Sequence, residues 1–270
     1  MPKTILSDRA VLSLTGEDRI TLLQGLVTVD LDRFETSPNV FGALLAPQGK
    51  IQFDFFLHKH DHAILIDMDA SRAADFLKRM KMYKLRAKAD IADVSDQYDV
   101  VVSWGDGASD NYDARSEALG AREVLEGSAK QNASPDEYHA HRIALGIPEA
   151  GKDFAFDDVF PHDAMMDALR GVDFKKGCYV GQEVVSRVQH RSTARKRFFI
   201  LKGTTALKSD EPVMLGDKSV GTTGTTFGGS TLALLRADKL EGATETLTVD
   251  GQSAEALVPS YFTDFQNKNT

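Results

Sequence analysis

One stretch concentrates the side chains able to do chemistry: Asp173-Phe174-Lys175-Lys176-Gly177-Cys178-Tyr179-Val180-Gly181-Gln182-Glu183, running on to Arg187. Cys178 is the single cysteine of 270 residues. A thiol attacks or binds metal as thiolate, and the ammonium groups of Lys175 and Lys176 beside it favour that form. Gly177 and Gly181 bracket the sulfur, and glycine permits a sharp turn or the close approach of a ligand. Gln182 and Glu183 add an amide and a carboxylate that can fix a polar ligand. A blander reading makes Cys178 a buried residue in a glycine-punctuated loop, since free cysteine is among the most buried residue types. The polar, glycine-rich surroundings weigh against it.

The rest of the chain must position this loop. At 270 residues it is long enough for a sizeable core in one large domain or two to three smaller ones. A hydrophobic content of 42% with 27% charged residues is that of an ordinary globular protein. The net charge of −8 argues against global attraction to nucleic acid or acidic membranes. One cysteine excludes an internal disulfide and, alone, a complete cluster site. The amino terminus lacks a signal-peptide core, and no run approaches a membrane span, so a cytoplasmic protein without membrane contact is expected.

Ala10–Leu14 alternates like a strand, and Thr15 with Asp18 has capping-box spacing before a helix whose apolar face is Ile20, Leu22, Leu23 and Leu26. Residues 42–50 read as a strand and a Pro47-Gln48-Gly49 turn, followed by a hairpin of Ile51–Leu57 and Ala63–Asp67. Asp54 stands alone among Phe53, Phe55 and Phe56, a costly place for an acid without a role. His58, His60 and His62 would share one side of an extended segment, but Lys59 and Asp61 between them suggest a solvated tip instead of a metal site. Residues 71–80 have helical spacing, 84–91 alternate like a strand with a charged face, and 98–104 and 122–125 are strand candidates. A helix is expected over 135–145 and an aromatic connecting loop over 150–165.

From Lys175 to Lys202 eight Lys or Arg face one acid, Glu183. This field suits an anion such as a glutamate tail or RNA phosphates. It equally suits a sheet edge that uses charge to discourage pairing. Short strands after 198, punctuated by glycines, indicate a small antiparallel barrel or sandwich. Residues 221–229 lack a P-loop lysine and read as a hairpin, and 267–270 should fray.

The run Lys176-Gly177-Cys178-Tyr179-Val180-Gly181-Gln182-Glu183, with Ser186-Arg187, resembles the signature of the YgfZ-type folate-binding proteins. That family includes a mitochondrial iron–sulfur assembly factor and is related to the glycine-cleavage T-protein. Gly16 to Asp30, including Gln24, resembles the family's amino-terminal pattern, although Val29 stands where it has asparagine. The resemblance implies an α+β fold: a T-protein-like ring of two open-faced α+β domains around a central pocket, with a carboxy-terminal antiparallel β-barrel. The parts would be 1–95, 96–195 with the cysteine motif, and 196–270.

The resemblance also implies support of iron–sulfur protein assembly or repair with tetrahydrofolate bound. Cys178 would be the reacting thiol, Lys176 would set its charge, and Gln182, Glu183 and Arg187 would orient it, with Gly177, Tyr179 and Gly181 completing the motif. Asp54, Gln24 and Arg142 would meet the folate. Partners would be iron–sulfur proteins or assembly factors, met transiently by a monomer. T-proteins carry a glutamate where Ala144 stands here, which counts against a second reading, folate-dependent one-carbon transfer. A third, an accessory to tRNA modification, would use the basic stripe 187–197. Net acidity counts against that.

Overall fold

The computed structural model describes residues 1–107, 111–127, 129–191, 194–227 and 229–269. Two compact units share the chain: Met1–Tyr138 with Leu169–Gln182, and His139–Ala168 with Glu183–Thr270. This differs from three consecutive parts, because one unit holds both sheets before residue 138 and regains the chain at 169–182. Among the described residues no helix is long and apolar enough to cross a membrane.

The first unit contains β1 (Lys3–Ile5), β2 (Arg9–Thr15), α1 (Arg19–Gln24), β3 (Asn39–Leu45), β4 (Ile51–Lys59), β5 (Ala63–Asp69), α2 (Ala73–Lys84), β6 (Asp90–Asp93), β7 (Tyr98–Ser103) and β8 (Ala121–Glu126). A five-stranded sheet has the order β3-β4-β5-β2-β6, and β1-β7-β8 form a second sheet. Strand side chains alternate between faces, and β4 shows the consequence. Phe53, Phe55 and Leu57 enter one core with Leu12, Leu14, Leu23, Phe76 and Met80. Each such side chain contributes roughly 1.5–3 kcal/mol on full burial. Asp54, Phe56 and His58 take the opposite face, so the phenylalanines next to Asp54 in sequence are not all its neighbours in space.

That opposite face carries buried polar groups. Asp67 on β5 is 0% exposed and accepts from Arg9 Nε and from Arg122 Nε of β8, each at 2.6 Å. Burial alone would raise its carboxyl, but Arg122 and Arg9 outweigh that and hold it well below the usual carboxylate range. Arg122 also lies 4.0 Å from the Phe56 ring centroid.

Several local expectations need correction. Residues 84–89 are not strand: α2 runs to Lys84, Leu85 turns out at φ 42°, and only Asp90–Asp93 pairs with β2. The segment before Ile91 has no β-branched residue to favour extension. Asp18 does not complete a capping box but accepts from Lys88 N–H at 2.8 Å, and Ile20 is exposed. The three histidines do not share a site. His58 is buried opposite Asn39, His60 packs on Tyr98, and His62 is exposed.

The chain leaves the first unit within α3 (Pro135–Ala144) and again at the start of α4 (Gln182–Arg191). The second unit then forms β9 (Lys196–Gly203), β10 (Pro212–Leu215), β11 (Lys218–Phe227), β12 (Ser230–Arg236), α5 (Ala237–Leu240), β13 (Leu247–Val249), β14 (Gln252–Leu257) and α6 (Ser260–Asn269). Its six strands close into an antiparallel barrel around Leu201, Val213, Leu235 and Val249. Closure pairs β9 with β12 and β14, so its lysines and arginines do not guard an open edge. Residues 267–269 are helical, not frayed; Thr270 and Gly228 lie outside the described residues.

Candidate functional site

The cysteine loop is held from beneath. Lys176 is 7% exposed, and its ammonium donates to Gln24 O at 2.9 Å, Val27 O at 2.7 Å and Val29 O at 2.9 Å. α1 ends at Gln24, and helix ends leave carbonyls without helical partners. The three protons of Lys176 answer one of these and two from the following turn, so peptide dipoles replace water around the charge. Burial lowers the lysine pKa to about 8, against the opposing pull of Asp30, Asp173 and Asp32. Val29, which stands where the family has asparagine, is fully buried and lends only its carbonyl.

Tyr179 is the second anchor. It is 7% exposed, and its ring centroid lies 5.4 Å from the Lys176 ammonium. Burial, then Asp173, pushes its hydroxyl pKa up to about 12. Asp173 shapes the entry: its Oδ1 accepts from Lys175 N–H at 2.9 Å, and its Oδ2 meets Arg33 at 3.0 Å. Gly181 shapes the exit with φ +81°, and a Cβ there would lie 2.8 Å from Ala46 O. Only glycine lets the chain enter α4 so close to the Pro47-Gln48-Gly49 turn.

With Lys176 and Tyr179 turned inward, Gly177 and Cys178 face solvent, and the thiol is free. This sets aside the buried-cysteine reading. Among the described residues a Cβ at Gly177 would meet nothing within 4 Å, so that glycine serves no close approach to them.

The other site candidates are dispersed. Gln24 bridges its own turn: Nε2 donates to Asp30 at 2.7 Å, and Oε1 accepts from Leu31 N–H at 2.9 Å. Burial would raise the Asp30 carboxyl, but bonds from Asp32 N–H and Gln24 and the charges of Lys176 and Arg33 hold it below its usual value. Asp54 is buried on β4, on the Phe56 face. Gln182, Glu183 and Arg187 lie on α4, with Glu183 and Arg187 exposed four residues apart.

Arg142 belongs to the second unit and is 0% exposed. Its guanidinium donates to Asp153 at 2.6 Å and Ile147 O at 3.1 Å, with Glu149 at 3.4 Å. Of the basic stripe, Arg197 is likewise engaged, meeting both Asp167 oxygens at 2.8 Å. The structure thus brings Gln24, Lys176 and Tyr179 together in one unit and occupies Arg142 elsewhere. Arg33 escaped sequence reading, whereas Asp30 and Asp173 were named there only inside longer motifs and given no role, although Asp173 two residues before Lys175 has the spacing of an Asx turn. Among the described residues no group of three or more His, Cys, Asp or Glu is placed to hold a metal ion.

The fold is that of a glycine cleavage system aminomethyltransferase T from Bartonella henselae, with a TM-score of 0.72 over 96% of this chain and 85% of that one. At 12% identity the likeness speaks for architecture alone. Residues 195–264, the barrel, match the family model described as the CAF17 C-terminal beta-barrel domain.

The sequence is 32% identical to the "Iron-sulfur cluster assembly factor IBA57 homolog, mitochondrial" of Mycosarcoma maydis, over 73% of this chain and 57% of that protein. A protein of the same name from Neurospora crassa is 30% identical over 72% of this chain and 52% of its own length. The chain thus spans about half the length of the curated relatives it matches. IBA57 and CAF17 form a family related to, but distinct from, the YgfZ proteins, which refines the resemblance drawn from the motif. Relatives named as mitochondrial also overturn the cytoplasmic expectation.

Proposed function

We propose that this chain is an IBA57-type factor supporting the assembly or repair of iron–sulfur proteins, with Cys178 as its working thiol. The observation that carries this reading is the single exposed thiol on a loop whose neighbours Lys176 and Tyr179 are buried anchors. A cluster ordinarily takes four ligands, so one cysteine can hold a cargo cluster only in company. The remaining ligands come from a partner protein or small thiols. The step is ligand exchange: a sulfur–iron bond forms at Cys178 as a donor thiolate departs from the same iron and takes up the Cys178 proton. No electron is transferred. Lys176 acts by seating the loop, because its donors are committed to carbonyls. Glu183 and Arg187, exposed on α4, are available to a partner.

Of the residues expected to hold tetrahydrofolate, Gln24 and Arg142 are already engaged within the fold. The Gln24 amide bonds Asp30 and the Leu31 N–H, and the Arg142 guanidinium bonds Asp153 and the Ile147 carbonyl. No step is therefore routed through folate. The test is Cys178→Ser in cells lacking the wild-type chain, read as the activity of a four-iron dehydratase. Activity should fall to the level of the deletion, while the purified variant unfolds within about 0.5 kcal/mol of wild type, as exposed positions do. Full activity in those cells would remove the thiol from the mechanism.

A further inference from the structure

β3 is the outer strand of its sheet, and among the described residues its outer edge is hydrogen-bonded only in part. Ala43 N–H donates to Thr28 Oγ1, and Ala43 O accepts from Thr28 N–H, both at 2.9 Å, so the main-chain groups of Ala43 point away from β4. Pro38 O, by contrast, accepts from Lys59 N–H at 2.9 Å on the inner side. Main-chain groups alternate direction along a strand, so those of Asn39 and Phe41 also point outward. The Asn39 carbonyl is taken by Ser37 Oγ at 2.7 Å. Among the described residues nothing bonds the amide or the carbonyl of Phe41.

Phe41 lines a cleft of about 540 Å³ with Arg33, Arg170, Tyr112, Glu117 and Asp113, the last already paired with Arg115, all within the first unit. The volume lies in the range of ligand clefts, about 300–1,000 Å³. Asn39, 1% exposed, lines it. Its Nδ2 donates to Tyr112 O at 3.0 Å, which settles the orientation of the amide, and its buried Oδ1 has no partner. Such an acceptor calls for a donor. At the rim Tyr112 is 42% exposed, and Arg170 is exposed with no side-chain partner among the described residues.

We propose that this cleft takes an extended acidic peptide segment of a partner protein, added as a further strand beside β3. The open groups are the N–H and C=O of one strand residue, the pair that strand addition uses. A small molecule would have no need of that spacing. A main-chain or side-chain donor of the peptide meets Asn39 Oδ1, and an acidic side chain meets Arg170. The inference goes beyond the cluster reading and does not depend on it. The two are nonetheless close in the chain: Arg33 holds both the Arg170 carbonyl at 2.8 Å and Asp173 at 3.0 Å. Cys178 lies five positions beyond Asp173, at most about 18 Å of extended chain.

The test selects a phage-displayed random heptapeptide library on the full chain, then titrates the tightest peptide into ¹⁵N-labelled protein. Selected peptides should be rich in Asp and Glu, protect the Phe41 amide from exchange and show cross-strand contacts to it. Arg170→Gly, which suits the left-handed φ of 59° at that position, should weaken binding about tenfold, the worth of one charge-assisted hydrogen bond. Cys178→Ser should bind the peptide as wild type does, whatever its effect on cluster enzymes. Peptides without acidic enrichment, an unprotected Phe41 amide or undiminished binding by Arg170→Gly each overturn the proposal. So does a selection that yields no peptide, or a Phe41 shift produced by tetrahydrofolate alone.

Discussion

Lys176 in the first unit and Arg142 in the second are both buried cations around which a loop is organised, but they are neutralised by opposite means. Arg142 sits among carboxylates, Asp153 at 2.6 Å and Glu149 at 3.4 Å, so its charge is matched by charge. Lys176 sits among three neutral carbonyls, with the carboxylates of Asp30 and Asp173 acting from further out. A guanidinium keeps its proton in any such setting. A buried amine gives up part of its proton affinity because burial disfavours the charged form, and its pKa falls to about 8. The first arrangement is a permanent knot, whereas the second depends on pH.

Breaking the knot should have the largest effect. Arg142→Met strands the Asp153 and Glu149 carboxylates in the interior, and removing one partner of a buried pair costs about 3–5 kcal/mol. Trp104, the single tryptophan, lies in the first unit and reports it separately from circular dichroism. The dichroism transition in urea should move to lower concentration while the Trp104 transition moves less. An equal shift of both would show that the knot serves the whole chain.

Lys176→Met should come next, leaving three carbonyls short of donors at about 2–3 kcal/mol at pH 7. Here the Trp104 transition should move. Between pH 8 and 10.5 the native lysine has lost its proton while the unfolded one, at its ordinary value of 10.5, retains it. The unfolded state then binds more protons, so wild-type stability rises with pH in that window. The gap between wild type and Lys176→Met should widen from pH 7 to pH 10 in parallel urea titrations. A narrowing gap would mean that the carbonyls hold the proton more firmly than burial expels it.

The two motif glycines sharpen the comparison at smaller scale. Gly181→Ala forces a side chain into a left-handed backbone against Ala46 O, costing about 1–3 kcal/mol. Gly177→Ala meets open space and should lie within about 0.5 kcal/mol of wild type in thermal unfolding. Equal costs would show that the loop is seated differently from the arrangement of Lys176, Tyr179 and Gly181.

Much of this was readable from the residues alone. Period-two alternation located β2, two apolar runs around a turn located β4 and β5, an apolar run located β7, and glycine-punctuated short strands announced the barrel. The lone cysteine among lysines and glycines marked the loop that the fold turns out to expose. Such features are local, because strand period, turn residues and composition act over a few neighbours.

What only the tertiary structure decided is which face each residue meets and what waits there. Asp54 among three phenylalanines suggested an acid in an apolar pocket, but the pleat sends Phe53 and Phe55 to the other side of the sheet. Arg142 looked like a ligand contact until Asp153 and Glu149 were seen to close on it. Lys176 is the clearest case. Its partners are main-chain carbonyls of residues 24, 27 and 29, roughly 150 positions away. Every residue carries such a carbonyl, so no side-chain pattern records the contact. Only folding, which leaves the end of α1 short of hydrogen-bond donors and brings the loop over it, makes that lysine an anchor.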